Sequence, residues 1–277
     1  SAPSCGGNYL ASNYLDKDDV LNNAVLSGAV EAMSQFRLDA SPQINDRMIL
    51  ITKEDIWNAL KRRNDFVNKL NTMTLKVAEC IANFGKNNSI NSIPDLTNKS
   101  LPWPAPLVLS AYGDNDAYND IKNLYAGRVP YRVDTSRTKS GNLISSAYLL
   151  TSTGKNCPAP LEWAEMYPWW DNWKDHLFYA LGNEFQPNTL PTLPCGNCLT
   201  ANYAGQYAAV VIFAGQKLSA SARLNQSSVI DYLESRNAGN LLAAKGIEDY
   251  QADIGSSTFN DILYCIKQDL TVILCPY

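Results

Sequence analysis

From Thr52 to Phe84 the chain contains neither proline nor glycine, and Ile56, Leu60, Val67, Leu70, Thr74, Val77, Ile81 and Phe84 recur at spacings of three, four and seven. That repeat stacks side chains on one face of a helix with 3.6 residues per turn. Thr52-Lys53-Glu54-Asp55 reads as a variant capping box, a hydroxyl taking an orphan amide and a carboxylate facing the positive end of the helix dipole. Gly85 suits the C′ position that ends a helix. The spacing predicts one helix over 53–84, about 48 Å long at about 1.5 Å per residue. An apolar stripe of that length has to be covered by something else in the fold.

The later sequence supplies candidates for that cover. Lys86 to Pro106 is rich in Asn and Pro and contains Leu101-Pro102-Trp103-Pro104-Ala105-Pro106, which excludes helix and central strand there. A second irregular stretch, Thr151 to Pro160, precedes an aromatic block of Trp163, Tyr167, Trp169, Trp170, Trp173, Phe178 and Tyr179. Short strands are expected at Leu177–Leu181, Cys198–Asn202 and Tyr207–Ala214. A closing hairpin is expected from Ile262–Ile266 and Leu270–Leu274 about Lys267-Gln268-Asp269. A long helix followed by strands without alternating helices predicts an α+β fold with an antiparallel sheet.

Residues 1–51 read as a separate N-terminal segment ahead of a helix-plus-sheet domain over 52–277. Residues 10–40 carry a loose helical period, a turn follows at Ser41-Pro42, and Met48–Ile51 reads as a strand. Asn45-Asp46 and the apolar run after it echo Asn260-Asp261 and its following run. If the echo is a repeat, 1–51 is the closing part of a preceding module.

The 277 residues are 45% hydrophobic and 18% charged, which suits a folded chain rather than a disordered one. With a net charge of −4 and Lys61-Arg62-Arg63 as the densest basic cluster, bulk charge argues against nucleic-acid binding. No apolar run is long enough to span a bilayer. Seven cysteines, Cys5, Cys80, Cys157, Cys195, Cys198, Cys265 and Cys275, favour an oxidising compartment and disulfides. Zinc would want paired ligand spacings, and only Cys195-Gly196-Asn197-Cys198 is paired, with the single histidine, His176, remote. A redox C-x-x-C should open a helix, whereas a strand is expected after Cys198. The pairing itself stays open, and the odd count leaves one thiol free or bonded elsewhere.

Motifs for chemistry are sparse. There is no phosphate loop, no G-x-G-x-x-G after a strand and no G-x-S-x-G nucleophile elbow. His176 sits at the entry to a strand and reads as a packed polar residue rather than a base. Glu162, Glu165, Asp171 and Asp175 lie among the tryptophans, a composition that suits either a small core under a loop or a sugar-binding platform. Asp114, Asp116 and Asp120 resemble the start of a calcium loop without its glycine and distal glutamate, so an Asx turn is the simpler reading. No other cofactor is suggested.

Four groups of segments, in order, resemble proteobacterial type IV pilin-like and pseudopilin-like proteins, specifically their large minor subunits. Thr74–Phe84 followed by Leu101–Pro106 is similar to a spine helix leaving into a proline-rich loop. Gly127-Arg128-Val129-Pro130-Tyr131 is similar to the step after it, and Trp169–Leu181 to an aromatic stretch ending in a tyrosine-alanine strand. Cys195–Asn202, Ala208–Gly215, Ile230–Glu234 and Phe259-Asn260-Asp261 resemble the closing sheet and are the most specific. The resemblance implies a pilin-like fold, a long helix packed on an antiparallel sheet with long loop insertions. It implies a structural, non-enzymatic subunit of an extracellular or periplasmic filament that mediates assembly and surface contact.

On that reading Ile56, Leu60, Val67, Leu70, Val77, Ile81 and Phe84 form the assembly helix. The partners are other pilin-like subunits or a separate spine-helix chain. Membrane contact would come only through an apolar N-terminal helix that this sequence does not show. Two rivals make different demands. A secreted carbohydrate-binding or hydrolytic protein needs an exposed groove of Trp163, Trp169, Trp170 or Trp173 with carboxylates facing each other. A calcium-dependent adhesion module needs ligands converging on Asp114 and Asp116.

Overall fold

A computed structural model describes residues 51–61, 63–87, 100–133, 148–187, 189, 191–218 and 225–277. The chain divides into two compact units, Ser1–Leu60 and Lys61–Tyr277. The expectations for residues 1–50, including the early helix, the strand from Met48, the echo and Cys5, lie outside the described residues.

In the first unit the capping box forms as expected. The Thr52 N–H donates to Asp55 Oδ2 (2.9 Å) and the Asp55 N–H donates back to Thr52 Oγ1 (3.1 Å), so two orphan amides are satisfied reciprocally. Helix α1, Lys53–Lys61, follows. Ile56 on it is exposed and Leu60 half-buried.

The single helix expected over 53–84 is two: α1 ends at Lys61 and α2 runs Asn64–Asn87. The periodic stripe masked a local stop and start. Lys61 ends α1, and Asn64-Asp65 places cap-forming residues where the next helix begins. Arg63 forks onto the Asp65 carboxylate through Nε (2.9 Å) and Nη2 (2.5 Å), and Asp65 Oδ1 accepts the Phe66 N–H (3.0 Å). Gly85 does not end α2 either. A Cβ there would stand 2.7 Å from Leu101 Cδ2 and 2.9 Å from Leu270 Cδ1, so the glycine lets the proline-rich segment and the closing hairpin approach the helix.

The sheet has strands β1 Ala126–Arg128, β2 Leu177–Leu181, β3 Leu199–Ala201, β4 Ala204–Phe213, β5 Asp249–Tyr250, β6 Ile262–Lys267 and β7 Val272–Leu274. β4 is central. It pairs antiparallel with β2 (Tyr179 opposite Val211), with β6 (Cys265 opposite Val210) and, at its start, with β3. β1 lies outside β2 and β7 outside β6, both antiparallel. The expected strands and hairpin therefore form, with β4 beginning three residues earlier than its apolar run. The sheet is not wholly antiparallel, however. β3 and β5 pair parallel, Thr200 opposite Asp249. Parallel neighbours need a long crossover, and here it includes helix α4, Ser235–Leu242, a helix between strands where none was expected.

The aromatic block is helical as far as Trp173: α3 spans Pro160–Trp173 with Pro160 in its first turn and Pro168 inside it, and Phe178 and Tyr179 lie on β2. An interior proline removes one helical hydrogen bond and is usually read as a break. Burial of Trp163, Met166 and Trp170 along one side holds the helix through it.

Alternation along β4 sorts the core into two layers. Ala209, Val211 and Phe213 face the cluster that holds Val77, Ile81, Phe84, Trp163 and Trp170, while Val210, Ile212 and Ala214 face Tyr232, Leu233, Leu241 and Phe259. α2 packs on β4, β6 and β7 and beside α3. Among the described residues three disulfides staple elements within the layers: Cys80–Cys157 joins α2 to the loop before α3, Cys195–Cys198 closes the turn into β3, and Cys265–Cys275 joins β6 to the end of β7.

Ile81 is fully buried and Val67 is 42% exposed. Ile81→Ala is expected to cost about 2–5 kcal/mol in urea unfolding and Val67→Ala less than about 0.5. Cys80–Cys157 encloses a separation of 77 residues and Cys195–Cys198 one of 3. Replacing both cysteines of the first pair by Ala should lower stability by about 2–3 kcal/mol more than replacing those of the second, from loop entropy alone.

Candidate functional site

The aspartates singled out for calcium do not converge. Asp114 Oδ1 accepts the Asp116 N–H (3.1 Å) and caps a 3-10 turn over Asn115–Ala117, the Asx arrangement. Asp116 is exposed, and Asp120 is buried with its N–H donating to Arg132 O (3.0 Å). Among the described residues no three His, Cys, Asp or Glu side chains group as a metal centre would require.

The tryptophans are mostly core. Trp163 and Trp170 are fully buried, Trp163 Nε1 donates to Thr151 O (2.6 Å), and Trp170 stacks on Tyr131 with centroids 5.6 Å apart. Trp169 and Trp173, half-buried, pack on Phe66 of α2 at 5.6 and 5.8 Å. The neighbouring acids face cations or hydroxyls and not each other. Glu162 pairs with Lys76 (2.7 Å), Asp171 with Lys174 (2.8 Å), and Asp175 accepts from the Tyr118 hydroxyl. Glu165 is exposed. Burial lifts the Asp175 pKa, and the Gly113 N–H acts against that rise. His176 lies among Trp173 (5.2 Å) and Tyr232 (5.3 Å). The exposed aromatic groove that sugar binding would need is therefore not formed by Trp163 or Trp170.

The segments named for their resemblance meet instead in two buried polar knots. In the first, Arg128 of β1 is fully buried. Its Nε donates to Leu107 O (3.2 Å), its Nη2 to Gln226 O (2.6 Å) and its Nη1 to Asp175 O. The guanidinium also lies 4.6 Å from the Phe178 ring centre and 5.4 and 5.7 Å from those of Tyr112 and Tyr232. Burial lowers the Arg128 pKa, opposed by the two tyrosines, but an arginine stays charged in a protein. One planar cation with several donors thus binds β1 to three separate loops.

The second knot joins Glu234, at the start of α4, to the segment before β6. The Glu234 N–H donates to Asp261 Oδ2 (3.1 Å), the Asn260 N–H donates back to Glu234 Oε2 (3.2 Å), and Asn237 Nδ2 donates to Asp261 Oδ2 (3.0 Å). Asn237 further exchanges two hydrogen bonds with the Gln251 backbone. Burial pushes the Asp261 pKa well up, and the Glu234 charge and its hydrogen bond add to the rise. Nothing local in Glu234 or Asp261 announces this contact; only the closeness of both to apolar runs hinted that they are enclosed.

The assembly stripe splits by position. From Leu70 onward Val77, Ile81 and Phe84 are buried against the sheet, while Asn64, Asp65, Val67, Asn68 and Lys69 are exposed. Two cavities flank the α2–β7 seam. One, of about 400 Å³, is walled by Lys76, Glu79, Lys86 and Glu162 with Leu270 and Val272. The other, of about 240 Å³, reaches Asn71 and Asp261. Among the described residues no helix is long and apolar enough to cross a membrane.

No protein-family model matches the chain, and neither the curated proteins nor the solved structures contain a match to it.

Because the folded pKa of Asp261 lies above its unfolded value, its stabilising contribution is complete below about pH 4 and declines as pH rises toward the folded value. Asp261→Asn keeps an acceptor for the Glu234 N–H and removes the titration. It should flatten the fall in urea-unfolding stability above about pH 4. Asp261→Leu should cost about 1–3 kcal/mol at either pH by orphaning two donors.

Proposed function

We propose that the chain is the globular part of a non-enzymatic structural subunit in an extracytoplasmic type IV pilus-like filament, where it mediates assembly and surface contact. The observation that carries the reading is α2. Its C-terminal half is clamped on antiparallel β4, β6 and β7 and tied by Cys80–Cys157, while its first two turns carry exposed Val67 among polar residues. A helix anchored at its C-terminal half, whose first turns expose Val67 beside a half-buried Phe66 packed on Trp169 and Trp173, suits head-to-tail packing, which builds a filament when it does not close on itself.

A second support is the adjacency of the resembling segments. Tyr179 OH reaches Pro102 O (3.1 Å), Ala105 bridges Arg128, β2 pairs with β4, and Glu234 holds Asn260. These short patterns, scattered along the chain, adjoin one another in space, as parts of one module do. Partners on this reading are other pilin-like subunits or a separate spine-helix chain. Loops around Leu107–Asp120 and Thr151–Ala159 would face what the fibre touches.

Mechanical shearing of cells that express the chain in its native setting should release it in sedimentable fibres. Val67→Glu should fold with unchanged circular dichroism yet lose co-sedimentation. Recovery of the wild type solely as a soluble monomer would overturn the assignment.

A further inference from the structure

Val272 and Leu274 of β7 turn their backbone groups away from the sheet. The Lys267 N–H donates to Thr271 O (2.9 Å) and the Cys275 N–H to Leu263 O (2.9 Å), and Cys265 stands opposite Ile273 between them. The odd-numbered residues of β7 are therefore the hydrogen-bonded partners of β6, and the N–H and C=O of Val272 and Leu274 point outward. Among the described residues nothing bonds to those four groups. The edge is also short. Leu270 has a positive φ of 62° and folds its N–H back onto Lys267 O. Pro276 has no N–H, and its carbonyl accepts from Asn202 Nδ2 (3.2 Å). Two outward residues remain between these stops.

The other margins of the sheet are closed. Ala105 exchanges both backbone hydrogen bonds with Arg128 of β1. Beside β5, Asn240 Nδ2 donates to Asp249 O (2.5 Å) and the Gln251 N–H donates to Asn237 Oδ1 (2.7 Å). Val272-Ile273-Leu274 has no charge or proline, the devices by which natural edge strands refuse a neighbour, and Leu274 is 51% exposed. The length of the edge selects its occupant. A second β7 laid antiparallel about a two-fold axis through Ile273 sets Val272 against the partner's Leu274 and Leu274 against the partner's Val272. Every outward group on both copies is then used, whereas a longer strand would leave groups of its own over. We propose that β7 is the interface through which two copies of this chain join, edge to edge and antiparallel, into one continuous sheet.

Side chains and charges agree with that register. Residues directly opposite one another share a face, so Val272 meets the partner's Leu274 on the side of α2, where Val272 already packs. The two Ile273 residues meet on the other face, where Ile273 packs. Lys86 lines the larger cavity with Val272, and Asp253 lines the smaller one with Leu274. Both are exposed, and among the described residues neither has an ion-pair partner. The two-fold brings the Lys86 end of each β7 to the Asp253 end of the other, so opposite charges flank the joint. Such a contact closes on itself at two copies. It is separate from the open contact through Val67 and does not rest on the filament assignment.

Sedimentation velocity of the full chain should show a reversible monomer–dimer equilibrium with a dissociation constant on the order of 10–100 µM, as suits a small contact. In the dimer, residue-resolved hydrogen exchange should slow about tenfold or more at Val272 and Leu274 and change little at Ile273, whose amide already faces β6. Leu274→Lys and Val272→Pro should each weaken dimerisation about tenfold or more with circular dichroism unchanged, because neither amide serves the β6 ladder. Lys86→Glu and Asp253→Lys should each weaken it, and the two combined should restore it. A monomer at every concentration up to about 0.5 mM, a dimer indifferent to Leu274→Lys, or a dimer without protection at Val272 and Leu274 would each overturn the proposal. So would a monomer whose two amides are protected only by an added extended poly(Thr-Val) peptide, which assigns the edge to a foreign strand.

Discussion

From Tyr207 onward the strand β4 is enclosed on both faces and both edges, and that single constraint organises the rest of the second unit. Tyr207 to Ala214 is an unbroken apolar run with every residue buried. In an antiparallel sheet one face is often left to water, and here neither is. One face demands α2 and α3; the other demands the layer of Tyr232, Leu233, Leu241 and Phe259. Both edges are occupied as well, by β2 and β6. The loops on either side of β4 in sequence must therefore return to cover it, which is why so much of the chain outside regular elements is buried, Leu101 to Ala105 included.

Covering a sheet with loops brings backbone groups into the interior, where each needs a partner. Two devices meet that need. Arg128 collects carbonyls from three loops and lays its plane against aromatic rings, a cation used as a multivalent donor. The Glu234–Asp261 pair works in the opposite sense, with carboxyl oxygens collecting amides from α4 and the segment before β6. Buried charge is costly unless it is hydrogen-bonded, and both knots are. Such networks limit the ways in which the layers can slide, a task that apolar contacts alone perform poorly.

The helix that covers the first face shows how far local signals reach. Its stripe from Leu70 to Phe84 is buried as the 3.6 period demands. The same period continued toward Thr52 and concealed the interruption at Arg63. The charge order of Lys61 to Asp65 carries the opposing signal, but it is local and weak beside a long stretch without proline or glycine. Gly85 shows the converse error: a glycine after an apolar stripe suggested a terminus, and its true role is room for Leu101 and Leu270. In α3, Pro168 removes one helical hydrogen bond, and the burial of Trp163 and Trp170 prevails over it.

What the sequence determined by itself is whatever depends on neighbours a few residues apart. The reciprocal cap of Thr52 and Asp55, the strands at Leu177 and Tyr207, the closing hairpin and the Asx turn at Asp114 all rest on local geometry and alternation, and they were legible. Cysteine content likewise pointed to disulfides. Tertiary structure alone decided which cysteines bond, that β5 joins β3 in parallel, that the tryptophans turn inward, and that Asp261 shares its site with Glu234 and with a cavity beside Asn71. Each of these sets groups distant in the chain against one another, and their energies come from burial and desolvation that exist only once the layers have closed.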